Sequence, residues 1–113
     1  MTVSRMFEDD PARLPTAVRL LGRAVELLDA RGQQYDSPKG ERSMLKTVTA
    51  FNTITGNNLT ESQGWLFMQI LKDVRLFQHN GYHRDSAEDC IGYAALKAEA
   101  KQTENPFGSI AYP

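Results

Sequence analysis

Between Leu76 and Glu99 the chain reads LFQHNGYHRDSAEDCIGYAALKAE, which gathers His79, His83, Arg84, Asp85, Glu88 and Asp89 around one Asn-Gly pair. Imidazole titrates near neutral pH, so His83 is the candidate general base, with Asp85 beside it as its catalytic partner. Just upstream, Lys72, Arg75 and His79 recur at three- and four-residue steps, the spacing of one helical stripe. Arginine offers phosphate a planar fork and lysine a point charge, so this stripe is the candidate anion-binding surface. Asp85 and Asp89 stand four residues apart. At that spacing they can share Mg²⁺, which takes one or two carboxylates and otherwise water and phosphate oxygens. Backbone N–H groups at the start of the helix that follows add a partial positive charge for the same anion.

A second wall comes from RGQQYDSP, where Arg31 and Tyr35 follow the first helical pattern, and Tyr93 lines the pocket from the other side. Tyr35 or Trp65 can stack on a base. Plainer readings stand beside these. Lys72 and Arg75 can form an interhelical salt-bridge network with Asp85 and Asp89, Arg31 can cap a helix end, and Trp65 can be core. Cys90, with no positive charge near it in sequence, reads as a small apolar group rather than a nucleophile.

Four helical patterns must position these residues. Leu14, Val18, Leu21, Val25 and Leu28 mark an amphipathic helix from Leu14 to about Gln33. After the loop QQYDSPKGE, a second helix runs from about Glu41 to Thr55, burying Met44, Leu45, Val48 and Phe51, with Asn52 and Thr55 on the same face, and Gly56 stops it. Thr60 with Gln63 matches a capping box, opening a third helix to about His79 whose core edge is Phe67, Ile70, Leu71, Val74 and Phe77. Asn80-Gly81 breaks it. Asp85 with Glu88 then caps a fourth helix, about Ser86 to Lys101, with Ala87, Ile91, Ala94, Ala95 and Ala98 as a small-residue stripe and Gly92 facing the seam. No segment alternates with period two. The expected fold is all-α, a compact bundle of about four helices spanning residues 14–102, with extended arms at 1–13 and 103–113.

The totals narrow the partners. With 113 residues, 41% hydrophobic and 24% charged, the chain suits one folded domain. Thirteen basic against fourteen acidic residues leave a charge of −1, which supplies no field for duplex nucleic acid. One cysteine excludes an intrachain disulfide and fits a reducing cytoplasm. No run of about 18 apolar residues is present to span a bilayer, so no membrane partner is expected. Trp65 and the apolar Phe107, Ile110 and Tyr112 of the C-terminal arm favour a homo-oligomer.

Arg31, Tyr35, Pro38, Lys72, Arg75, His83, Asp85, Ser86, Asp89, Gly92, Tyr93, Ala94 and Glu99 together resemble the pattern of small helical proteins carried by phages and prophages. That pattern is an Arg, a Tyr-Gly-x-Pro loop, Lys-x-x-Arg, His-x-Asp-Ser, a further Asp and Gly-Tyr-Ala. The likeness spans about residues 24 to 99 and departs from the pattern at Asp36, where a glycine is usual. The second half also resembles phage nucleotide-modification-associated domains and, more faintly, the P-loop-lacking nucleotide kinases of phages. The resemblance implies a nucleotide as ligand, bound in the host cytoplasm. Glu26-x-x-Asp29 with Glu88 and Asp89 is similar to the acidic motifs of MazG-type pyrophosphohydrolases, although their double-glutamate first motif is missing here. The leading expectation is therefore a phage-type nucleotide-binding or nucleotide-processing protein, with hydrolysis ranked below binding. A non-catalytic phage protein that occupies a host protein is the rival.

Overall fold

The computed structural model describes residues 15–33 and 43–104. They form four helices: α1 (Ala17–Arg31), α2 (Ser43–Thr55), α3 (Glu61–Gln78) and α4 (Arg84–Glu104), and no strand occurs among the described residues. The expected all-α architecture is therefore the observed one. The 1–13 arm, most of the 103–113 arm and the loop carrying Tyr35, Asp36 and Pro38 lie outside the described residues.

Each helix starts and stops for local reasons. Thr16 caps α1 by accepting from the Arg19 N–H at 3.3 Å. Gly56, with φ of +73°, ends α2 in the left-handed region that favours glycine. Asn52, expected on the buried face of α2, instead clamps the loop after it: its amide donates to the Leu59 carbonyl at 2.9 Å and its oxygen accepts from the Leu59 N–H at 2.8 Å. The capping box at Thr60 and Gln63 forms as the spacing predicts, with bonds of 3.2 and 2.9 Å. The Ser62 N–H and hydroxyl donate to the Glu104 carboxylate at 2.9 and 2.8 Å. The end of α4 thus supplies a negative charge to the N-terminus of α3, where the helix dipole favours it.

Gly81, with φ of +100°, turns the chain between α3 and α4. The expected Asp85/Glu88 cap does not form. α4 opens two residues earlier, with the Ala87 N–H donating to the His83 carbonyl at 3.1 Å and the His83 Nδ1 sharing a short hydrogen bond with the fully buried Ser86 hydroxyl. The helix also runs one turn further than expected, because Glu104 is held by Ser62.

α4 is the central element. It packs along α3 as an antiparallel hairpin and receives α1 on another side, while α2 rests on α3. The core is Met44, Val48, Trp65, Tyr93, Leu96 and Ala100, with Leu28 and Met68 against it. Trp65 and Tyr93 stack with ring centroids 5.5 Å apart, an arrangement that contributes about 0.5–1.5 kcal/mol beyond the area buried.

The expected core edge of α3 is overturned: Phe67, Ile70, Val74 and Phe77 are exposed, and the buried side carries Ser62, Trp65, part of Met68 and the stem of Lys72. Periodicity selected the larger apolar stripe, whereas tertiary packing chose the stripe that carries the ion-pairing lysine. On α1, likewise, Val18, Leu21 and Val25 are exposed and the buried side runs through Ala24 toward Leu28 and Arg31. On α2, Leu45 and Phe51 are exposed while Met44 and Val48 are buried. The small-residue stripe of α4 is also displaced, for Ser86, Asp89, Tyr93, Leu96 and Ala100 form its most buried line.

Gly64, not Gly92, is the close-approach glycine. A Cβ on Gly64 would overlap Met44 Sδ and meet Val48 Cγ1 at 2.8 Å, whereas one on Gly92 would meet Leu28 Cδ2 at an ordinary 3.6 Å. Gly64→Ala is expected to lower unfolding free energy by about 1–3 kcal/mol by forcing α2 off α3. Gly92→Ala should be neutral or stabilise by up to about 1 kcal/mol through helix propensity. Urea unfolding of both variants checks the contrast.

Candidate functional site

Asp89, in the second turn of α4, is buried, and two cations from distant parts of the chain close on it. Arg31 Nη2 reaches Oδ1 at 2.8 Å from the last turn of α1, and Lys72 Nζ reaches Oδ2 at 2.8 Å from α3. The Lys72 side chain is only 13% exposed, so its charge is sheltered by this pairing. Arg31 also lies over the Tyr93 ring, 5.9 Å from its centroid. Arg31, Lys72, Asp89 and Tyr93, all singled out by type and spacing, are thus brought together. Tyr93 sits in the core against Trp65 rather than on an open wall.

A second cluster adjoins the first. Glu88, buried as well, accepts from Arg84 Nε at 2.8 Å and pairs with Arg23 Nε at 3.6 Å, both through Oε2. Arg84 is one helical turn upstream of Glu88, and Arg23 is two turns upstream of Arg31 on α1. Four cations therefore surround two adjacent buried carboxylates. Beside them a cleft of about 430 Å³ opens between α1 and the first turn of α4, lined by Arg23, Glu26, Leu27, Arg84, Asp85 and Glu88. A volume of this order admits a small ligand.

The remaining expected residues fall elsewhere. Arg75 is exposed and forms no ion pair among the described residues, because the turn of α3 that aims Lys72 at α4 rotates Arg75 aside. Asp85 is exposed at the cleft and does not share Asp89's partners. Both Asp89 oxygens already meet a cation, so Asp89 serves as an anchor for Arg31 and Lys72. No group of three His, Cys, Asp or Glu side chains among the described residues is placed to hold a metal. His79 and His83 meet at the hairpin turn with ring centroids 4.7 Å apart. Tyr35 lies outside the described residues.

Arg84 stands among the charges around Asn80-Gly81 but is given no binding role from sequence, and Arg23 is not singled out at all. The i,i+4 spacing of Arg84 and Glu88 was a readable signal. Arg23 shares a helical face with Leu27 and Arg31, which becomes informative only once that face is known to meet α4.

Cys90 lies on another side of α4, its Sγ–H directed at Asp73 Oδ1 at 3.2 Å and at the Gln69 carbonyl at 3.9 Å. Burial, the hydrogen bond to Asp73 and the charge of Asp73 push its thiol pKa up, against weaker opposing effects of Gln69 and Lys97. The thiolate is therefore scarce near neutral pH.

Residues 19–101 match a domain of unknown function (DUF6378), and the chain belongs to that family. The match covers α1 from Arg19, all of α2 and α3, and α4 up to Lys101. No curated protein and no solved structure matches the chain. None of the described helices is long and apolar enough to cross a membrane.

Removing the anchor should expose its importance. Asp89→Ala leaves Lys72 and Arg31 facing each other without a carboxylate and is expected to cost about 3–5 kcal/mol. Asp85→Ala, at an exposed position, should stay within about 0.5 kcal/mol of wild type. Chemical denaturation of the pair tests this difference. Alkylation of Cys90 by iodoacetamide should be slower at neutral pH than that of free cysteine, accelerating as pH rises into the range where the thiolate forms.

Proposed function

We propose that the chain binds a phosphate-bearing small molecule, a nucleotide, in the cleft between α1 and the start of α4. The observation that carries this reading is the convergence of Arg23 and Arg84 on the single oxygen Glu88 Oε2 at the edge of a ligand-sized cleft. A buried carboxylate holds both guanidinium groups in place before a ligand arrives, which lowers the ordering cost of binding. Of the charged side chains lining the cleft, Arg23 and Arg84 stand against Glu26, Asp85 and Glu88, so a phosphate would enter with a divalent cation that offsets the carboxylates. The first-turn N–H groups of α4 face the same anion-favouring end of the helix.

On this reading phosphate contact passes from the Lys72 and Arg75 stripe to Arg23 and Arg84, because Lys72 is committed to Asp89. Mg²⁺ would arrive with the nucleotide, held by its phosphates and by the exposed carboxylate of Asp85, in keeping with an ion that takes few protein ligands. His83, held by the Ser86 hydroxyl and adjacent in sequence to Arg84, would act on the ligand from the hairpin side. The motif resemblance supports a phage-encoded protein working in the cytoplasm of the host cell. A hydrolytic version has one observation in its favour: Glu26 lines the same cleft as Asp85 and Glu88. Release of pyrophosphate from nucleoside triphosphates in the presence of Mg²⁺ would identify that version.

The test is a thermal-shift and calorimetry screen of nucleoside mono- and triphosphates, with inorganic phosphate as the minimal probe, with and without Mg²⁺. Ligand at about 100 times its dissociation constant should stabilise the fold by about 2.7 kcal/mol. For a domain of this size that is a rise in melting temperature on the order of 10 °C or more. Arg84→Ala should abolish most of the shift, and Asp85→Asn should remove the part that depends on Mg²⁺. A screen in which no nucleotide moves the wild-type melting temperature ends this reading.

A further inference from the structure

The outer face of α3, turned away from α4, carries Phe67, Ile70, Val74 and Phe77 at steps of three, four and three residues, exposed to 69%, 51%, 46% and 84%. The charged residues of α3 are Glu61, Lys72, Asp73 and Arg75, and all lie off the midline of this stripe. Across its flank runs a groove of about 310 Å³ between α2 and α3, lined by Met44, Val48, Phe51, Leu59, Phe67 and Met68. Ile54, one turn beyond Phe51 on α2, is 83% exposed.

We propose that this face is the contact between two copies of the chain, with the α3 stripe of one copy seated on the α3 stripe of the other about a two-fold axis. Three observations select a second copy as the occupant. Among the described residues seven hydrophobics are buried while thirteen large ones are exposed, so the described helices leave more large apolar side chains at their surface than they enclose. Phe67, Ile70, Val74 and Phe77 with Phe51 and Ile54 present apolar area on the order of 700 Å². That exceeds the roughly 300–600 Å² of the largest patch on a typical monomer and approaches the about 800 Å² that each partner contributes to a stable interface. The three-four-three spacing is that of a helix–helix seam, in which like pairs with like. An uncharged midline is self-complementary, as an isologous contact requires, and carries nothing that would select a charged partner.

This proposal is independent of the nucleotide reading, since it uses the opposite side of α3. Sedimentation equilibrium on the full chain, from low to high micromolar, tests it. The wild type is expected at twice the chain mass of 12.7 kDa. Phe77→Asp and Ile70→Asp should each weaken association by at least about tenfold with the helical circular dichroism unchanged, and Leu21→Asp on α1 should leave the dimer intact. If Ile70→Asp loses helicity, Phe77→Asp decides, because that ring is the most exposed of the four. A wild type that stays monomeric, including one that pairs instead with a different protein, overturns the proposal. So does a dimer that survives both α3 substitutions or one that Leu21→Asp dissociates.

Discussion

The buried carboxylate of Asp89 constrains the molecule more than any other single group. Removing a carboxylate from water costs several kcal/mol unless charge and hydrogen bonds replace the lost hydration. Arg31 and Lys72 do so from α1 and α3, one on each carboxylate oxygen and each at 2.8 Å. α1 and α3 must therefore turn a cation-bearing face toward α4, and their orientations about their own axes follow. For α3 the consequence is large. The face that delivers Lys72 goes inward, and the stripe of Phe67, Ile70, Val74 and Phe77, about half a turn away, goes outward.

Two further devices hold the frame that this pairing orients. The α3–α4 hairpin is closed at one end by Gly81 and at the other by the Glu104 carboxylate on Ser62, so its register is set from both ends. Trp65 and Tyr93 then meet in its middle. α2 is held differently, by the absence of a side chain at Gly64, which lets Met44 and Val48 lie directly on α3. Together they leave the start of α4 open to α1, and the Arg23–Glu88–Arg84 cluster forms at that opening. Polar chemistry thus collects where α1 meets the start of α4, while the exposed apolar stripe of Phe67, Ile70, Val74 and Phe77 runs along α3.

Much of the helical plan was legible from residue types. The Thr60 box, the Gly56 stop and the Asn80-Gly81 break are local signals, and each acts within a few residues of its own position. Lys72 and Asp89 were readable as opposing charges because a short connection forces the third and fourth helices to double back. Arg75 and Asp85 belonged to the same stripes by spacing and yet stand outside the pairing, because a stripe defined by three- and four-residue steps spans too wide an arc for every member to reach one partner. The α1 contribution was harder to see. Arg31 lies 58 positions from Asp89, and no local pattern relates them.

The amino-acid sequence by itself determined that the chain is helical, roughly where each helix begins and ends, and that cations and carboxylates would meet near the α3–α4 turn. Those outcomes depend on backbone propensity, capping and the shortness of one loop. Only the tertiary structure decided which face of each helix is inside. α4 is packed on two sides, and α1 and α3 each carry a larger apolar stripe and a smaller mixed one. The mixed stripes face inward because the buried Asp89 carboxylate needs Arg31 and Lys72 beside it, and turning Lys72 inward leaves the larger apolar stripe of α3 at the surface.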